Sequence, residues 1–60
     1  MTRLETLCKL FNWQGGTIHQ AAAELKSVVT IYPIDAKMIL GLTDENFDLL
    51  VSLYKKHKGN

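Results

Sequence analysis

Apolar residues recur at helical spacing in three parts of this chain, and one stretch between them breaks the pattern. In the first part Leu4, Leu7, Cys8 and Phe11 fall on one face while Arg3, Glu5 and Lys9 lie away from it, which predicts an amphipathic helix over 2–12. Asn12 suits the left-handed residue that ends such a helix, and the Gly15-Gly16 pair stops it from continuing. Paired glycines let the backbone take positive φ or pass close to a neighbouring group. A second helix starts at Thr17, whose hydroxyl can accept from the first free amides, and it carries a narrow stripe of Ile18, Ala21, Ala22 and Leu25. Small residues of this kind let helices sit close together.

The end of that second helix is where two patterns compete. Ile18, Ala22, Leu25, Val29 and Tyr32 keep a spacing that would carry one helix as far as Pro33. Val28-Val29-Thr30-Ile31-Tyr32, however, is a run of β-branched and aromatic residues, which lose rotamer freedom in a helix and suit a pleated surface. A helix over 17–26 followed by an extended or irregular segment at 27–33 is the preferred reading, with the uninterrupted helix as the alternative. No second strand is legible, so an extended segment must pack as a loop, pair with a stretch such as 16–19, or pair with a second copy of the chain.

Pro33 ends either element, and Asp35 then caps a short helical turn at 35–40 that Gly41 closes. Thr43 caps the last helix, over 43–57. Asp44, Glu45 and Asp48 stand near its positive end and Lys55, Lys56 and Lys58 near its negative end, with His57 as a further dipole partner. Leu42 and Phe47 are placed to form a hydrophobic staple. Phe47, Leu50, Val51 and Tyr54, widened by Leu49 and Leu53, predict neighbours on two sides of this helix. The fold class is thus mainly α. It is a single small domain, 1–60, of three helices at about 2–12, 17–26 and 43–57 with a helical turn at 35–40 and an extended or irregular segment at 27–33.

Composition sharpens this picture in three ways. Hydrophobic residues at 47% and charged residues at 22% are the balance of a folded domain, yet a 60-residue chain removes only about 60% of its unfolded surface from water. Such a domain benefits from a staple or a partner. Cys8 is the sole cysteine, so no internal disulfide forms, and with two histidines it cannot complete a four-ligand zinc site; no metal and no cofactor are expected. A net charge of +1 lacks the basic excess that carries non-specific nucleic-acid affinity. Charge within the first five residues and the absence of any long apolar run argue against a secretory leader or a membrane span. With an unpaired cysteine, the expected compartment is the cytoplasm, that of the host for a viral source.

Candidate chemistry is sparse. Residues 17–25, Thr-Ile-His-Gln-Ala-Ala-Ala-Glu-Leu, resemble the first helix of a helix-turn-helix. The resemblance stops there: Lys26 replaces the turn glycine, and the place of the recognition helix holds Val29-Thr30-Ile31-Tyr32-Pro33-Ile34, which has no Arg. A DNA-binding regulator with a degenerate helix-turn-helix is therefore the alternative function, with Gln20, Lys26, Lys55, Lys56 and Lys58 as its phosphate contacts. It requires Lys26, Lys37, Lys55, Lys56 and Lys58 to share one face. Gly15-Gly16-Thr17 before a helix suggests an anion site, but no Walker-type Lys-Ser or Lys-Thr follows and no buried strand precedes it. Cys8 and His19 are a nucleophile and a base that could meet in space, but a core cysteine is ordinarily inert and 60 residues rarely enclose a substrate-sized cavity as well as a core, so no enzyme is expected.

Asn12 to Gln20 and Leu42 to Leu50 resemble stretches of short uncharacterised proteins of phages and mobile elements of Gram-positive bacteria. The resemblance implies a small accessory or regulatory protein acting inside a bacterium and carries no functional residues with it. The leading expectation is a non-enzymatic module that binds a protein partner or itself, as a homodimer. Its surface is expected at Trp13, beside the glycine turn, and at Val28, Val29, Ile31 and Tyr32, because aromatic residues dominate interface energetics and the β-branched run lacks a partner.

Overall fold

Four short polar side chains start the four helices. Thr2, Thr17, Asp35 and Thr43 all lie in extended backbone, and each accepts a hydrogen bond from the amide three residues on. The computed structural model describes residues 2–59 and places helix α1 at Arg3–Phe11, α2 at Ile18–Val28, α3 at Ala36–Gly41 and α4 at Asp44–Lys58, with no strand among the described residues. In α1 and α2 the cap is reciprocal. The Thr2 amide donates to Glu5 Oε1 at 3.1 Å and the Thr17 amide to Gln20 Oε1 at 2.9 Å, which satisfies two orphan donors at each start.

Asn12 ends α1 in the left-handed region, with φ 62°. The Trp13 amide donates to the Cys8 carbonyl at 2.8 Å and the Asn12 amide to that of Lys9 at 3.2 Å, which is a Schellman ending. Asn12 thus makes the turn expected of the glycines. Neither Gly15 nor Gly16 has positive φ. Gly16 is needed for the other reason: a Cβ there would come within 3.0 Å of Gln20 Oε1 and 3.3 Å of the Trp13 ring, whereas one at Gly15 would meet nothing.

The competition over 27–33 resolves between the two readings. Helix α2 runs two residues beyond Lys26, to Val28, and closes with the Val29 amide donating to the Leu25 carbonyl at 2.7 Å. Burial decides this, because Val28 packs on the core and Val29 is completely inside it, so tertiary packing outweighs the cost of β-branching in a helix. The helix does not reach Pro33, which biases Tyr32 away from helical backbone. Residues 29–35 pack as a loop on the chain's own helices, pinned by Val29 and Ile34, and form no strand with 16–19.

Helix α2 lies in the middle and packs against each of the other three, its buried Ala21, Ala22 and Leu25 facing Leu7, Ile39, Leu50 and Tyr54 in one core. Leu42 and Phe47, on either side of the α4 cap, both pack into that core. Phe11 joins the far ends of α1 and α4, with its ring 5.0 Å from that of Tyr54 and 4.9 Å from that of Trp13. Arg3 departs from its expected place away from the apolar contacts. Its guanidinium donates to the Ile39 carbonyl near the end of α3, reaches Asp44 Oδ1 at 3.2 Å, and lies 5.2 Å over the Phe47 ring. One side chain thereby satisfies a carbonyl that α3 cannot and ties α1 to both later helices.

Candidate functional site

Residues of α3, of α4 and of the segments that precede them line an apolar groove. Met38 and Leu42 form one wall, Leu49 and Leu53 the other, Leu50 the floor, and Tyr32 from the loop closes one edge; Asn46 supplies the polar group. Its volume is about 250 Å³. Leu49 is 62% exposed and Tyr32 46%, so the groove carries two large side chains that the chain's own core does not take up. Isolated exposed leucines are ordinary, but one standing on an apolar groove beside an exposed tyrosine is a patch.

Helix α4 meets α2 and, through Arg3 and Phe11, also α1, as its wide apolar stripe predicts, yet Leu49 of that stripe stays exposed. The core-facing stripe of Phe47, Leu50, Val51 and Tyr54 is packed, Leu53 is half-buried, and Leu49 has no neighbour that covers it. Leu40, also 64% exposed, does not belong to the groove: it is turned about 200° from Met38 around α3. Ile31, 63% exposed, is the chain neighbour of Tyr32 on the loop.

The expected interface residues therefore separate. Ile31 and Tyr32 are exposed. Val29 is withdrawn from the surface, because it is completely buried among core side chains and cannot meet a partner in this fold. Val28 is half-buried against the same core. Trp13 is the residue after the left-handed turn of α1, where an apolar side chain folds back on the helix, and it packs between Phe11 and Gly16. Its open edge borders only a shallow depression with Gln14, Gly15, Gln20 and Ala23. Leu49, Met38, Leu42 and Leu53 were absent from the expected surface. The available signal was Leu49 itself, a leucine on the side of α4 otherwise given to polar residues.

The cationic constellation does not assemble. Lys56 and Lys58 are about 200° apart around α4, so they face opposite directions, and the Lys58 ammonium lies 5.8 Å over the Tyr54 ring. The element in the recognition position, α3, has six residues and one cation, Lys37, and residues 29–35 separate it from α2 where a helix-turn-helix has about 3–4. Gln20 has its side-chain carbonyl tied into the α2 cap, while Lys26 and Lys55 stand exposed on different helices. The same cap occupies the Thr17 and Gln20 groups that an anion at Gly15-Gly16-Thr17 would need.

Cys8 is half-buried over a shallow depression with Leu4, Glu5 and Lys9, His19 is exposed, and no hydrogen bond joins the two among the described residues. No group of three or more His, Cys, Asp or Glu side chains is placed to hold a metal, and no helix is long and apolar enough to cross a membrane, among the described residues. The Glu5 carboxyl in the α1 cap is displaced. The hydrogen bond from the Thr2 amide, and then that from the Thr2 side chain, hold it below the usual carboxylate range. No family of proteins, no curated protein and no solved structure matches the chain.

Proposed function

We propose that this protein is a small non-enzymatic accessory or regulatory factor that acts by protein–protein contact through the groove between α3 and α4. The observation that carries the reading is Leu49, 62% exposed on the wall of an apolar groove in a chain whose core is already closed without it. Covering such a side chain removes apolar surface from water at roughly 25 cal/mol per Å², which is the usual driving force for association. At about 250 Å³ the groove falls below the roughly 300–1,000 Å³ that a drug-sized ligand occupies, and it suits one or two side chains brought by a protein. The resemblance of 12–20 and 42–50 to short proteins of phages and mobile elements supports a setting in the cytoplasm of a bacterium.

A photo-reactive benzoylphenylalanine tests where contact is made. Placed at Leu49, it is expected to give a discrete crosslinked protein adduct in cells; placed at exposed Ala23, which lines the separate depression beside Trp13, it is expected to give none. Adducts from Ala23 alone, or from neither position, would overturn the reading.

A further inference from the structure

We propose that the partner of this surface is a second copy of this chain, docked by antiparallel pairing of the open faces of the two α4 helices, on which Leu49 stands at the rim of the groove. This rests on the reading of the groove as a protein-binding surface and names its partner.

The charges along the open side of α4 carry the argument. Glu45, Leu49, Ser52 and Lys56 follow one another at helical spacing on a single exposed stripe. Glu45 and Lys56 stand about 16 Å apart along the axis at the 1.5 Å rise of an α-helix, at equal distances from the midpoint between Leu50 and Val51. Leu49 and Ser52 are placed symmetrically about the same point. A two-fold axis through that midpoint lays Glu45 of each copy against Lys56 of the other and Leu49 against the small Ser52. An isologous contact requires this self-complementarity of one patch. Neither Glu45 nor Lys56 has an ion-pair partner within its own chain among the described residues; the pair found there is Arg3 with Asp44.

Two further observations favour self-association over a different partner. The open face of α4 carries exposed Leu49 with half-buried Leu53 one turn on, so an identical copy brings apolar surface to meet the small Ser52. The net charge of +1 leaves almost no long-range repulsion between copies. The contact is one face of a 15-residue helix, and an interface that limited belongs to the weak, reversible class.

Sedimentation equilibrium of the full chain from about 10 to 500 μM, the range in which so small an interface dissociates, is expected to show a monomer–dimer equilibrium. Leu49→Asp is expected to remain monomeric throughout with unchanged helical circular dichroism, since the side chain it replaces is exposed. Glu45→Lys and Lys56→Glu are each expected to weaken the dimer about tenfold by placing like charges together at both ends. An equimolar mixture of those two variants is expected to associate more tightly than either alone, because every end then meets its opposite. A wild-type chain that stays monomeric at the highest concentration, a Leu49→Asp variant that still dimerises, or a mixture no tighter than its parts would each overturn the proposal. A monomeric wild type whose Leu49 crosslinks to a protein of different mass would remove the second copy and leave the interaction surface standing. A monomer without any adduct would remove both.

Discussion

Gly15 and Gly16 look alike in the chain and differ in what surrounds them. Gly15 meets nothing that a methyl group would disturb, while Gly16 lies under the Trp13 ring and beside the Gln20 oxygen that completes the α2 cap. Replacing a glycine by alanine where the backbone allows it stabilises by about 0.4–1 kcal/mol through the unfolded chain. Gly15→Ala is expected to show that gain in urea unfolding. Gly16→Ala is expected to fall about 1 kcal/mol below it, because the added carbon loosens a cap of about that worth. Equal midpoints for the two variants would contradict the packing described for Trp13. Arg3 teaches the same lesson at one residue's scale: its spacing puts it off the apolar face, yet its length lets it reach the end of α3 and the face of Phe47.

Element boundaries depend on caps, and caps are legible because they are local. Thr2, Thr17, Asp35 and Thr43 each act within three residues of themselves, so the sequence alone places the helix starts to within a residue. The α1 start makes a pH prediction. Because the folded Glu5 carboxyl titrates lower than an unfolded one, its charge adds stability above the usual carboxylate range, and that contribution disappears as pH falls through its lowered value. Glu5→Gln keeps an acceptor for the Thr2 amide and loses the charge. The difference in urea midpoint between wild type and Glu5→Gln is expected to favour wild type at neutral pH and to close under acid; a difference independent of pH would remove the charge from the explanation. The end of α2 was not legible in the same way. Local preference at Val28 and Val29 points to extended backbone, and contact with helices distant in sequence holds Val28 in the helix and buries Val29 at its end.

At the scale of the whole molecule, one central helix and a core of few side chains leave little redundancy. Leu25 is completely buried at the centre of that core, and Leu→Ala at such a site costs about 2–5 kcal/mol. A chain of this length has roughly 3–9 kcal/mol in total. Leu25→Ala is expected to lower the thermal midpoint by at least about 10 °C. Leu49→Ala, in dilute solution, is expected to leave it within a degree or two. A large loss from Leu49→Ala at low concentration would mean that its side chain serves the fold and not a partner.

Sequence by itself determined the helical class, the start of every helix, the left-handed turn at Asn12 and the small residues of α2, because each depends on chemistry within a turn or two of the residue concerned. Tertiary structure alone decided which of several apolar residues would be covered. Val29 and Leu49 are both large apolar side chains, and the first is buried because α2 lies among three neighbours, while the second is open because it lines a groove that no element of the chain fills. Burial is a property of the partners a side chain finds in space, and those partners are remote in the chain.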